Sequence, residues 1–225
     1  MRVSAHTAAG RLSRLRGLYV IVGSAVAGDP VEQARAAVAG GAGVIQVRVK
    51  DAPAGEVLEI ARRVVNLARG RALVLVNDRA DLAALSDADG VHVGDDDLPP
   101  ADARRVVGPD RLVGRTCRTL DEARAAVSAG ADHVGYGPIF PPRAKAVSAA
   151  PRGLEALGAV CRGLGAPVVA IGGIDLSTVG AVAQAGAACA AVVSAVLDAP
   201  DPREAAVRLG RAFETGAAPG GGTPS

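Results

Sequence analysis

One unit recurs along the chain and narrows the possible folds: an apolar run, a polar or Gly-rich loop, an amphipathic helix, then a glycine. Candidate strands fall at residues 18–22, 44–49, 72–76, 90–93, 112–114, 133–135, 168–171 and 190–193. Several are β-branched runs without polar alternation, the pattern of strands buried on both faces. The intervening segments carry helix signals. Asp29-Pro30 and Asp201-Pro202 place a capping Asp before a Pro suited to the first turn. Thr119 to Glu122 reads as a capping box. Gly40, Gly130 and Gly186 stand where helices should stop. Eight such units in roughly 200 residues predict an α/β fold, a single-domain (β/α)8 TIM barrel. A doubly wound open sheet is the alternative, but Val22-Gly23-Ser24 does not open a GxGxxG turn.

Residues 1–14 and 216–225 read as disordered ends around a barrel domain at 15–215. The apolar stretch 180–197 reads as a helix, a Gly stop and a buried strand rather than a membrane span. No secretory signal is visible, so a cytoplasmic location is expected. Charge is balanced, with 25 basic and 23 acidic side chains. Only two Phe, two Tyr and no Trp are present, so stacking platforms for nucleic acid are not expected. The three cysteines lack metal-ligand spacing.

In a barrel, polar residues at strand C-termini form the active site. Here they are Arg48 and Lys50, Asn77-Asp78-Arg79, His92 with the Asp95–Asp97 run, Arg115 to Arg118, the turn from Gly137 to Pro141 with Lys145, Gly172-Gly173, and Ser194. Arg48 and Lys50 are two apart on one strand and so share a side; ion pairs with neighbouring carboxylates or a bound anion would each explain them. Asp78 and the Asp95–Asp97 run follow consecutive strands and can converge, which suits Mg2+ bridging phosphate oxygens. Gly172-Gly173 and Ser194 stand where barrel enzymes cradle phosphate. His133 reads as a packed strand residue, and His92 as a donor behind the mouth. A Cys117 thiolate nucleophile finds no adjacent His.

These pieces, in order, resemble the thiamine phosphate synthase family. The matching segments are Gln46-Val47-Arg48-Val49-Lys50, Asn77-Asp78-Arg79-Ala80-Asp81, Gly90-Val91-His92-Val93-Gly94 with Asp97-Leu98-Pro99, Gly137 to Pro141, Ile171-Gly172-Gly173-Ile174 and Val193-Ser194. The resemblance implies a transferase of thiamine biosynthesis that joins hydroxymethylpyrimidine pyrophosphate to thiazole phosphate and releases pyrophosphate. It implies Mg2+ at Asp78 and Asp97. It places Gln46, Arg48, Lys50, Asn77, Thr116 and Lys145 on the pyrimidine pyrophosphate, with Arg48, Lys50, Lys145 and Thr116 assisting the chemistry. Gly173, Val193 and Ser194 would hold the thiazole phosphate. The implied partners are these small phosphorylated substrates, with neither nucleic acid nor membrane; a homo-oligomer is compatible.

The chain departs from the family at three places. Pro142, Arg143 and Ala144 replace a Thr-x-Thr stretch before Lys145, which removes two hydroxyl donors. Asp95 replaces a Gln, and Arg118 a His. The first departure predicts weaker thiazole phosphate binding, and Asp95 puts an extra negative charge beside the pyrophosphate. A thiazole tautomerase-like isomerase and a non-catalytic phosphometabolite-binding paralogue are the alternatives. The retained Asp78 and Asp97, and the loss of the tautomerase His at Arg118, favour the synthase.

Overall fold

The structure is a computed structural model that describes residues 7–23, 26–141 and 150–216. Eight parallel strands close into a barrel in sequence order. They are β1 (Gly17–Gly23), β2 (Val44–Arg48), β3 (Leu73–Asn77), β4 (Gly90–Val93), β5 (Leu112–Cys117), β6 (His133–Tyr136), β7 (Val168–Ile171) and β8 (Cys189–Val192). Helices α1 (Ala8–Leu12), α2 (Pro30–Ala39), α3 (Ala54–Ala68), α4 (Ala80–Leu85), α5 (Pro100–Val107), α6 (Leu120–Ser128), α7 (Gly153–Gly163), α8 (Val179–Gln184), α9 (Ser194–Leu197) and α10 (Pro202–Thr215) complete the described elements. The 180–197 stretch is α8, the Gly186 stop and β8. No helix among the described residues is long and apolar enough to cross a membrane.

Alternation along each strand sorts side chains into two apolar layers. Leu18, Val20, Ile45, Val47, Val74, Val76, Val91, Val113 and Val134 face the helices. Tyr19, Ile21, Val44, Leu73, Leu75, Leu112, Val169 and Cys189 fill the barrel interior. The second set fixes the phase: Gln46 and Arg48, Asn77, His92, Gly114 and Thr116, and His133 share its parity and point inward. Register places Asn77 beside His92, His92 beside Gly114, and Gly114 beside His133. One layer of the barrel is therefore polar, directly beneath the mouth.

The local signals act through hydrogen bonds. Asp29 accepts from the Val31 amide, and Asp201 from that of Glu204. Thr119 accepts from the Glu122 amide, while the Glu122 carboxylate accepts from the Arg118 amide, one residue earlier than a closed capping box requires. Gly130 and Gly186 take positive φ just past α6 and α8; after α2 that role falls to Gly41, because Gly40 keeps a negative φ.

Two expectations need correction. Part of the segment read as disordered, residues 8–12, forms α1: Thr7 caps it, and Arg11 pairs with Asp89 at 2.9 Å. Leu12 and Leu15 pack against the barrel-interior cluster, so burial that closes the barrel floor orders this segment. The second concerns β5, which runs past Gly114 to Cys117 because Thr116 and Cys117 keep pairing with Gly135 and Tyr136.

Candidate active site

The mouth is built from residues just past the strand ends. At the top of β2, Arg48 is its last residue, and Lys50 lies beyond the strand. Sheet pairing with β1 stops at Arg48, so strand alternation does not carry Lys50 inward as expected. Its ammonium nevertheless reaches Asp78, 3.5 Å away. Of the two explanations, an ion pair with a neighbouring carboxylate is present at Lys50.

Asp78 follows β3 with φ 63°, a left-handed conformation tolerated best by Gly, Asn and Asp. Its amide donates to the His92 carbonyl at 2.8 Å, which anchors the turn across β4. The Asp78 and Asp97 carboxyl groups lie within hydrogen-bonding reach. Burial, followed by the Asp97 carboxylate, pushes the Asp78 carboxyl above the ordinary range, while Lys50 pulls it back. Asp97 sits in the turn after β4 and accepts from the Gly94 amide at 2.6 Å. The two aspartates thus converge as their positions predicted.

This corner tests whether Mg2+ fits. Two carboxylates from different loops compete for one space, half neutralised by a lysine. The donors are hard oxygens, and among the described residues no group of three or more His, Cys, Asp and Glu gathers as a closed metal site. Such a pair suits an ion that keeps other positions for water or phosphate oxygens. A cavity of about 320 Å³ lies alongside, lined by Asp97, Thr116, Arg115, Cys117, Glu122 and Pro99 among others.

The rest of the acidic run has other roles. Asp95 pairs with Arg115 at 3.3 Å and with Arg118. Its negative charge is therefore held sideways by two guanidinium groups rather than left facing a substrate phosphate. Asp96 is exposed in the turn. Cys117 is 1% exposed behind the barrel wall, and burial pushes its thiol up to about 11, so a thiolate nucleophile is not formed there.

Gln46 is buried in the interior, while Arg48, Asn77 and Thr116 are partly buried at its rim. His92 Nε2 lies 2.9 Å from Thr116 Oγ1, so His92 does stand behind the mouth. His133, fully buried, is packed inside the barrel as expected. On the opposite side, Gly172 and Gly173 have positive φ, and a Cβ on Gly173 would fall 2.7 Å from the Pro141 carbonyl oxygen. Only glycine allows that turn to press against the Gly137–Pro141 loop, whose Phe140 amide donates to the Gly172 carbonyl. Val193 precedes α9, which begins at Ser194. Lys145 and the substituted residues Pro142, Arg143 and Ala144 lie outside the described residues.

Sequence reasoning missed two groupings here: the Arg115–Asp95–Arg118 pairing, and the approach of His92 to His133. Both depend on inter-strand register, which no local pattern carries. The opposite charges of the two departures, Asp95 and Arg118, were the available signal for the first.

A closed (β/α)8 barrel with cations, converging carboxylates and glycine turns around its C-terminal mouth defines a phosphate-handling barrel enzyme. A family profile described as thiamine monophosphate synthase matches residues 18–196. A thiamine-phosphate synthase from Anaeromyxobacter dehalogenans is 68% identical over 220 residues, covering 98% of each chain. One from Myxococcus xanthus is 52% identical, covering 89% of this chain and 94% of its own. The solved thiamine phosphate pyrophosphorylase from Pyrococcus furiosus superposes with a TM-score of 0.83 at 38% identity, covering 91% of this chain and 98% of that one. The chain belongs to the thiamine monophosphate synthase family, and the tautomerase and binding-protein readings are not favoured.

Proposed function

We propose that this chain condenses hydroxymethylpyrimidine pyrophosphate with thiazole phosphate in a Mg2+-dependent reaction, with Asp78 and Asp97 holding the metal. The convergence of those two carboxylates beside Lys50 is the observation that carries this reading. Near-full-length likeness to proteins named thiamine-phosphate synthase supports it.

The C–O bond to pyrophosphate breaks, and the electron pair leaves with the pyrophosphate oxygen. The aminopyrimidine stabilises the resulting methylene cation. The thiazole nitrogen then donates its lone pair to form the new C–N bond. Arg48, Lys50 and Lys145 bind the leaving group and take up its growing negative charge. Gln46 and Asn77 orient the pyrimidine end, and Thr116 contributes a hydroxyl. Gly173, Val193 and Ser194 hold the thiazole phosphate through backbone N–H groups and a hydroxyl. A bound Mg2+ supplies further charge stabilisation to the departing pyrophosphate. No protein nucleophile is required, because the leaving pyrophosphate takes the electron pair and the thiazole nitrogen supplies the new one. The charged substrates do not cross membranes unaided, so we place the reaction in the cytoplasm.

The test is product formation. Purified protein, both substrates and Mg2+ should yield thiamine phosphate, detected after oxidation to its fluorescent thiochrome, and EDTA should abolish it. Folded protein that makes no product with Mg2+ would overturn the proposal. Replacing Pro142 and Ala144 together by Thr should lower the KM for thiazole phosphate severalfold, because each hydroxyl adds a donor to a charged acceptor. An unchanged or raised KM would remove this loop from thiazole phosphate binding.

A further inference from the structure

The polar layer under the mouth holds a pair of histidines that the proposed chemistry does not use. His92 Nδ1 and His133 Nε2 lie 3.5 Å apart, at the outer limit of a hydrogen bond, and their ring centroids are 5.6 Å apart. Gly114, between them in register, makes the space: a Cβ there would fall 2.2 Å from His133 Nε2 and 2.5 Å from His92 Nδ1. From the other side, a Cβ on Gly135 would come to 3.0 Å from the His92 ring. The other nitrogen of His92 lies 2.9 Å from Thr116 Oγ1, while His133 Nδ1 is buried with no partner among the described residues.

That last atom decides which way the chain of bonds runs. A neutral imidazole carries one N–H and one lone pair. His133 is fully buried, and burial pushes it down to about 3, so it is neutral at neutral pH. If His133 carried its proton on Nδ1, it would bury a donor with nothing to receive it, and orphaned buried N–H groups are rare. With the proton on Nε2, His133 donates to His92 Nδ1. His92 must then carry its own proton on Nε2 and donate it to Thr116 Oγ1. The threonine oxygen accepts that bond, and its O–H is left to point into the site.

We propose that His133 and His92 are positioning residues whose relay fixes the Thr116 hydroxyl as a hydrogen-bond donor to substrate. Thr116 then meets an acceptor lone pair, such as an anionic oxygen or a pyrimidine ring nitrogen, and is mismatched to an N–H. This rests on the reading of Thr116 as a substrate contact. Its structural half concerns the free protein and can be tested without any reaction.

The first experiment is the nitrogen-15 NMR spectrum of the full chain, labelled at histidine, at pH 7.5, with assignments from single variants. Both His92 and His133 should be neutral with the proton on Nε2. A proton on Nδ1 of either would overturn the relay even if the enzyme is fully active; the expected tautomers would stand even if it is not. The second is a pair of variants. His133→Gln keeps an N–H donor near the Nε2 position and should retain most of the wild-type kcat/KM. His133→Met fills the space without a donor and should lose up to about tenfold, the net worth of one hydrogen bond. In a Thr116→Val background that difference should vanish, because the hydroxyl being oriented is gone. Equal losses in Gln and Met, or a difference that persists without the hydroxyl, would reduce His133 to core packing.

Discussion

Asp78→Asn should lower turnover by about a hundredfold or more while raising the unfolding midpoint at neutral pH. The two effects have one origin. Asp78 and Asp97 present their carboxyl groups to the same small volume, and the protein around them disfavours the charge on Asp78 more than Lys50 favours it. Without a cation the pair repels, so the folded state carries strain that an amide removes. In the proposed reaction the same pair would anchor the charge that steadies the departing pyrophosphate; the amide would lose that anchor, and contributions of this kind are worth about 10²–10³ in rate. Asn is the informative replacement because it tolerates the positive φ of this turn, whereas Ala would add backbone strain and blur the stability measurement. Lys50, about half exposed, loses its partner but stays in water, so the broken ion pair costs little. The measurements are steady-state thiochrome formation and urea denaturation at pH 7.5. Full activity would remove Asp78 from the metal site. A lower midpoint would mean that Lys50, not repulsion from Asp97, dominates its surroundings.

What could be read from the sequence follows from how far each signal reaches. Strand cores such as 73–76 and 168–171 are unbroken apolar runs rich in Val, Leu and Ile, and the caps at Asp29, Thr119 and Asp201 act over two or three residues; local chemistry alone determines them. The convergence of Asp78 with Asp97 was legible because consecutive parallel strands are neighbours, so residues after their C-termini must lie close. The ordering of α1 was not legible, because its burial depends on Asp89 and Leu15 meeting it at the barrel floor. Nor was the route of Asp95: its partners Arg115 and Arg118 belong to the next strand and the loop after it. Two departures that look separately unfavourable, a carboxylate for a Gln and a guanidinium for a His, instead satisfy one another. The inward pointing of His92, Gly114 and Thr116 also waits on strand phase, since a shift of one residue would send all three to the helix layer.

That phase has its largest thermodynamic consequence in acid. Between pH 7.5 and 5, the chain should lose about 4 kcal/mol of unfolding free energy through His92 and His133. Both histidines are held well below the ordinary value of 6.5: His133, fully enclosed, at about 3 and His92 at about 4. The unfolded chain takes up protons on both as pH falls through 6.5, while the folded chain refuses them until far lower. Their contribution is therefore fully present above about pH 7 and declines steadily toward pH 4, by about 2 kcal/mol each at pH 5. Asp78 acts in the opposite sense: its raised carboxyl accepts a proton more readily folded than unfolded, so acid relieves it. That relief grows as pH falls from the raised folded value toward the ordinary carboxylate range, so it offsets part of the loss at the acid end of the histidine window. Urea midpoints at pH 7.5 and 5.0 measure the difference directly. His133→Gln, which does not titrate, should remove about half of the pH dependence and keep the rest. A wild-type midpoint unchanged between the two pH values would mean that the histidines are not held neutral, and the tautomer argument for Thr116 would lose its premise.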